Sequence, residues 1–113
     1  MKRPIFSFEA EVLTDAPFDH VLGRLRTAAP VDFKSLRPLG AWSPLEETSG
    51  SAVLRWKRTV AGADESGELT LTPDPKGAHL HLEGRMKGWA AFLLFGWLRW
   101  RTDRLLDRFV EEL

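Results

Sequence analysis

From Ile5 to Leu13 apolar and polar residues alternate: Phe6, Phe8, Ala10 and Val12 fall on one face, Ser7, Glu9 and Glu11 on the other. Successive side chains of a strand point to opposite faces, so the stretch reads as a half-buried β-strand. Thr14-Asp15-Ala16-Pro17 turns the chain into a helix, with Pro17 suited to its first turn. Phe18, Val21, Leu22 and Leu25 carry the helical spacing and Ala28-Ala29-Pro30 ends it. Val31 to Leu39 has no clear period and is assigned a short helical turn at most. Gly40 to Glu47 reads as a strand that Pro44 confines to an edge or a bulge.

The pattern then sharpens. Thr48-Ser49-Gly50-Ser51 is a turn, and Ala52 to Val60 a strand with Leu54 and Trp56 on one side, Arg55 and Lys57 on the other. Gly62 to Gly67 reads as a polar loop and Glu68 to Thr72 as a strand around Leu69 and Leu71. Pro73 to Gly77 turns again, and Ala78 to Gly84 alternates around Leu80 and Leu82, with His79, His81 and Glu83 opposite. Gly84 to Gly88 reads as a flexible strand-to-helix joint.

The chain closes with a long helix. Ala91, Leu94, Phe95, Leu98, Leu105, Leu106, Phe109 and Leu113 form one continuous stripe, the expected core face. A second stripe, Trp89, Leu93, Trp97 and Trp100, lies on the opposite side and gives way to Arg104, Asp107 and Glu111. A helix on a sheet has one face to bury, so the aromatic stripe requires a partner, a ligand or a lipid surface.

Strand, helix, an antiparallel meander and a final helix predict an α+β fold with the last helix laid across the sheet. At 113 residues the chain forms one domain, residues 1–113. Lys and Arg number 16, as do Asp and Glu, so no net field draws in nucleic acid or an anionic membrane. The apolar run Trp89 to Leu98 is half the length of a membrane span, and Lys87 and Arg99 bound it. Glu9 and Glu11 interrupt what would be the apolar core of a signal peptide after Met1-Lys2-Arg3, which predicts a cytoplasmic protein. Cys, Tyr, Asn and Gln are all missing, which removes thiolate, phenol and side-chain amide chemistry from any site.

Phe8-Glu9-Ala10-Glu11-Val12 followed by Asp15-Ala16-Pro17-Phe18-Asp19-His20-Val21, with the alternating strand Leu80 to Arg85, Gly88 and the long last helix, resembles the START-like superfamily. This superfamily includes polyketide cyclases, coenzyme-Q-binding proteins and lipid carriers. The resemblance spans nearly the whole chain, although the region between the first helix and Ala52 is compressed. It implies the helix-grip fold, in which a curved antiparallel sheet grips a long C-terminal helix around an apolar cavity.

The residues that would line such a cavity are Leu54, Trp56, Leu69, Leu71, Leu80 and Leu82 on the sheet, facing Leu94, Phe95 and Leu98 on the helix. The same residues equally suit a packed core. His79, His81 and Glu83 share one face of a strand and offer a ligand set that zinc or iron accepts, yet alternation on a wet outer face already explains them, and no metal or other cofactor is expected. His20 beside Asp19 reads as a surface histidine. The leading expectation is a non-catalytic domain that binds a small hydrophobic or amphipathic molecule, with Arg58 or Arg85 at hand for an acidic head group. A second reading is an interaction module, expected to be a homodimer joined through Trp89, Leu93, Trp97 and Trp100 with Gly96 at the crossing. The third is an enzyme of the cyclase or dehydratase type, for which Asp32, Glu46 and Glu47 are the only unassigned acids in the poorly patterned segment.

Overall fold

The computed structural model describes residues 5–39, 41–60 and 63–113; for residues 31, 38, 60, 89–96, 98 and 99 it describes the backbone alone. The elements run β1 (Ile5–Thr14), α1 (Phe18–Thr27), two 3-10 turns (Pro30–Asp32 and Arg37–Leu39), β2 (Ala41–Trp42), β3 (Glu46–Thr48), β4 (Ser51–Val60), β5 (Ala63–Asp74), β6 (Gly77–Lys87) and α2 (Trp89–Glu112). All described strand pairs are antiparallel, in the order β1-β6-β5-β4-β2, with β3 pairing a different stretch of β4. The described fold is therefore α+β, with an open six-stranded antiparallel sheet and a long C-terminal helix.

One face of the sheet is the core. Leu54, Leu69, Leu71, Leu80 and Leu82 are all but fully buried there, beneath Val21, Leu22 and Leu25 of α1, Phe33, Leu36 and Leu39 of the 3-10 segment, and Leu105, Leu106 and Phe109 of α2. Phe33 and Phe109 meet edge to face, with ring centroids 5.2 Å apart. The poorly patterned segment thus supplies three core side chains, and Phe33 meets both helices, with Arg24 of α1 over its ring at 5.5 Å. Glu112 fastens it to the end of α2, accepting the backbone N–H groups of Lys34 (2.7 Å) and Ser35 (3.1 Å) and the Ser35 hydroxyl.

Three sequence expectations are corrected. Gly40 to Glu47 is not one strand: β2 ends at Trp42 and β3 begins at Glu46, with Pro44 in the break. The stretch read as a polar loop before Glu68 is strand from Ala63 onward, because β5 pairs with β4 from Ala63↔Val60 to Leu71↔Ala52. Nor is Gly84 to Gly88 a joint. β6 runs to Lys87 and stays paired with both β1 and β5, which leaves Gly88, at φ 132°, to make the turn into α2.

Candidate functional site

The register explains how the inner face is organised. Phe8, Gly84, Gly67 and Trp56 lie opposite one another across β1, β6, β5 and β4, forming one cross-strand row. The two glycines let aromatic rings lie on the backbone. A Cβ on Gly84 would stand 2.7 Å from Phe8 Cζ, and one on Gly67 would overlap the Trp56 ring and the Glu83 carbonyl oxygen. Trp42 completes the aromatic set, its ring centroid 5.3 Å from that of Trp56.

The next inward-facing row is Phe6, Met86, Glu65 and Arg58, and it brings a charge inside. The Glu65 side chain is completely buried. Arg58 donates to it from Nε at 2.7 Å, and Arg101 of α2 donates from Nη1 at 3.2 Å and from Nη2 to the second oxygen. The Arg101 guanidinium also stacks against Phe8 (5.5 Å to the ring centroid) and Trp97 (5.1 Å). Glu65 shares its parity along β5 with Leu69 and Leu71, which fixes it on the core side. Reading its surroundings as a loop conceals that parity. The signal available in the sequence was alternation running on through Ala63, Glu65, Gly67 and Leu69.

Two buried N–H donors near this cluster meet no acceptor among the described residues: Trp56 Nε1 and Arg101 Nε. Trp42 offers the contrast, since its Nε1 donates to the Leu36 carbonyl at 3.0 Å. A buried donor without a partner loses its hydration and gains nothing in return, and in native proteins such groups are few.

The other sequence candidates fall in different places. Leu54, Trp56, Leu69, Leu71, Leu80 and Leu82 share the inner face and are no more than 2% exposed. Leu94, Phe95 and Leu98 belong to α2, and their side chains lie outside the described residues, as do those of Trp89 and Leu93. Trp97 and Trp100 are 45% and 58% exposed, with Arg104 stacked on Trp100 at 5.4 Å. Arg85 is exposed on the outer face, whereas Arg58 turns inward to Glu65.

Of the acids held open for catalysis, Glu46 pairs with Arg55, Glu47 pairs with Arg26, and Asp32 accepts the Ala29 N–H at 3.0 Å. All three are exposed, so none occupies an enclosed position.

His79 and His81 face outward. His79 Nε2 lies 2.9 Å from Glu11, and His81 Nε2 lies 3.2 Å from Glu9. Glu9, His81 and Glu83 bring one potential ligand atom each within 4.8 Å of one another, with both glutamates exposed to solvent. The set differs from the one expected on a single strand, because β1 supplies Glu9 in place of His79. An open groove of about 810 Å3 crosses the same outer face over the Gly84–Gly67 row, with Arg85 and Lys57 along one wall and Glu9, Glu83 and Glu68 along the other.

No helix among the described residues is long and apolar enough to cross a membrane. No protein-family model and no curated protein matches the sequence. Solved structures do. The chain is similar to the protein Mll3558 from Rhizobium loti, with 13% identity, a TM-score of 0.57 and full coverage of both chains. It is also similar to an uncharacterized protein from Rhizobium leguminosarum, with 12% identity and a TM-score of 0.57 over 98% of this chain and 97% of that one. At such identity the likeness concerns the fold, which these chains share end to end.

Proposed function

We propose that the chain is a START-like domain that holds a small amphipathic molecule against the inner face of its sheet. The observation that carries this reading is the Arg58–Glu65–Arg101 cluster, whose carboxylate is fully buried on a largely apolar face. A buried ion cluster is a poor stabiliser, since desolvating the charges offsets most of their attraction. Its place inside a domain of this shape is better accounted for by recognition of a polar head. The tail of the molecule would lie among Leu54, Trp56, Leu69, Leu71, Leu80 and Leu82, on the side of the sheet that α2 covers. Both oxygens of Glu65 are engaged by guanidinium groups, an arrangement suited to holding a ligand rather than passing a proton. Native mass spectrometry of the purified protein, followed by solvent extraction, tests the reading. An apolar molecule is expected to co-purify, and a bound environment-sensitive dye to be displaced by medium-chain fatty acids. A protein that carries nothing and binds no dye contradicts it.

The exposure of Trp97 and Trp100 supports a second reading, a homodimer through the first half of α2. Three residues apart on a helix, the two rings share one side, and aromatic residues beside arginine are enriched in interface cores. Trp97→Glu is expected to give a folded monomer by light scattering. A wild type that is already monomeric, or a variant that unfolds, removes this reading.

A further inference from the structure

We infer that the molecule held on the inner face presents an acceptor oxygen, of a carboxylate or a ketone-type carbonyl, to Trp56 Nε1 and Arg101 Nε. The inference rests on the ligand-binding reading above and adds the chemistry of the head group. Both unmet groups are N–H donors, and neither indole nor guanidinium has acceptor capacity at those atoms. The Trp56 residue is 2% exposed, so its N–H has no recourse to bulk water.

The sheet register sets the two donors in neighbouring rows, Trp56 opposite Gly67 and Arg101 hydrogen-bonded to Glu65. The Trp56 ring lies over Gly67, and Arg101 stacks on Phe8, whose ring lies over the directly opposed Gly84. Glu65, two residues from Gly67 on β5, anchors the far side of the Arg101 guanidinium through Nη1 and Nη2, which leaves Nε as the unmet donor. A protonated amine or a quaternary ammonium has nothing to offer these groups. A hydrocarbon would leave both donors buried and unpaired. An oxygen acceptor completes them, and an anionic one does so through stronger, charge-assisted bonds.

Octanoate, 2-nonanone and octyltrimethylammonium separate these cases, since the tails are alike and only the first two carry an acceptor. The 15N-labelled protein is titrated with each, and the indole N–H resonance of Trp56 is assigned by its absence in Trp56→Phe. Octanoate is expected to move that resonance downfield and octyltrimethylammonium to leave it in place. A matching shift with 2-nonanone identifies a carbonyl acceptor as sufficient, and a shift with octanoate alone identifies a carboxylate. Trp56→Phe should weaken octanoate binding by about tenfold, the worth of one buried hydrogen bond to a charged group, without weakening the ammonium probe. Should Trp56→Phe fail to fold, Arg101→Lys removes the Nε donor while keeping the charge, and the same selective loss is expected. Octanoate binding without any movement of the Trp56 resonance overturns the head-group assignment and leaves ligand binding intact. Failure of all three probes to bind overturns the ligand-binding reading itself.

Discussion

Glu47 and Glu65 are both clasped by arginine, and the similarity ends there. Arg26 reaches Glu47 from Nε and Nη2, and those bonds hold the Glu47 carboxyl below the usual carboxylate range. Yet Glu47 is 39% exposed and Arg26 56%, so water competes for every contact and salt screens the pair. Glu65 is sealed, and the two guanidiniums around it are 14% and 24% exposed. On the surface the ion pair is one of many equivalent arrangements. On the inner face water has no access to the carboxylate, so the energetic cost of disturbing it is set by burial and not by the number of bonds.

Glu65→Ala tests this contrast with the largest expected effect. It removes the carboxylate to which Arg58 and Arg101 are both hydrogen-bonded and should cost about 3–5 kcal/mol in urea denaturation. Glu47→Ala should leave the urea midpoint unchanged within error. If the two variants behave alike, burial is not what distinguishes the sites. Gly67→Ala comes next: its Cβ collides with the Trp56 ring and with a backbone carbonyl that has no freedom to give way. Overpacking of this kind should cost about 1–3 kcal/mol and shift the Trp56 indole resonance, which reports whether the ring has left the row.

The smallest effect concerns Glu112, which lies between the two extremes. Desolvation by itself raises its carboxyl, but hydrogen bonds from the Ser35 hydroxyl and from the Ser35 and Lys34 N–H groups outweigh it and hold the group below its ordinary value. A carboxylate whose folded-state pKa is depressed stabilises the fold fully above the unfolded-state pKa. That contribution is lost as the pH falls through the folded-state pKa. The wild type should therefore lose about 1 kcal/mol across the acid end of the carboxylate range, a figure already reduced for solvent screening. Glu112→Gln should be weaker at neutral pH and lack this component of the acid dependence, as read from urea midpoints measured between pH 7 and pH 3.

Much of the fold was legible because it rests on alternation. Phe8 with Leu80 and Leu82, or Leu54 with Leu69, announced their inward face at period two, and β1, β4 and β6 follow. The helical spacing of Leu105, Leu106 and Phe109 likewise found core side chains of α2. The reading stopped where a charge occupied an inward position. Glu65 broke the apolar pattern in the segment that carries the site, and the adjacent Gly67 resembled a loop residue, whereas its missing side chain makes room for Trp56. The candidate site was half legible for the same reason. Trp56 is legible as a lining residue from its parity, but its unmet N–H depends on where the ring settles over β5, and the inward turn of Arg101 depends on Glu65, Phe8 and Trp97, which no local pattern brings together. Phe33, Leu36 and Leu39 escaped notice because 3-10 turns impose no long-range period, so three core residues looked like an irregular loop.

The central claim is that the polar end of the inner face serves a ligand rather than the fold. A high-resolution crystal structure of the protein, purified without detergent or delipidation, tests it directly at one atom, Trp56 Nε1. An oxygen of a bound non-protein molecule is expected about 3 Å from that nitrogen, with the rest of the molecule running along the leucines of the sheet. A protein side chain or an isolated water molecule on Trp56 Nε1, with leucines packed closed behind it, would contradict the account.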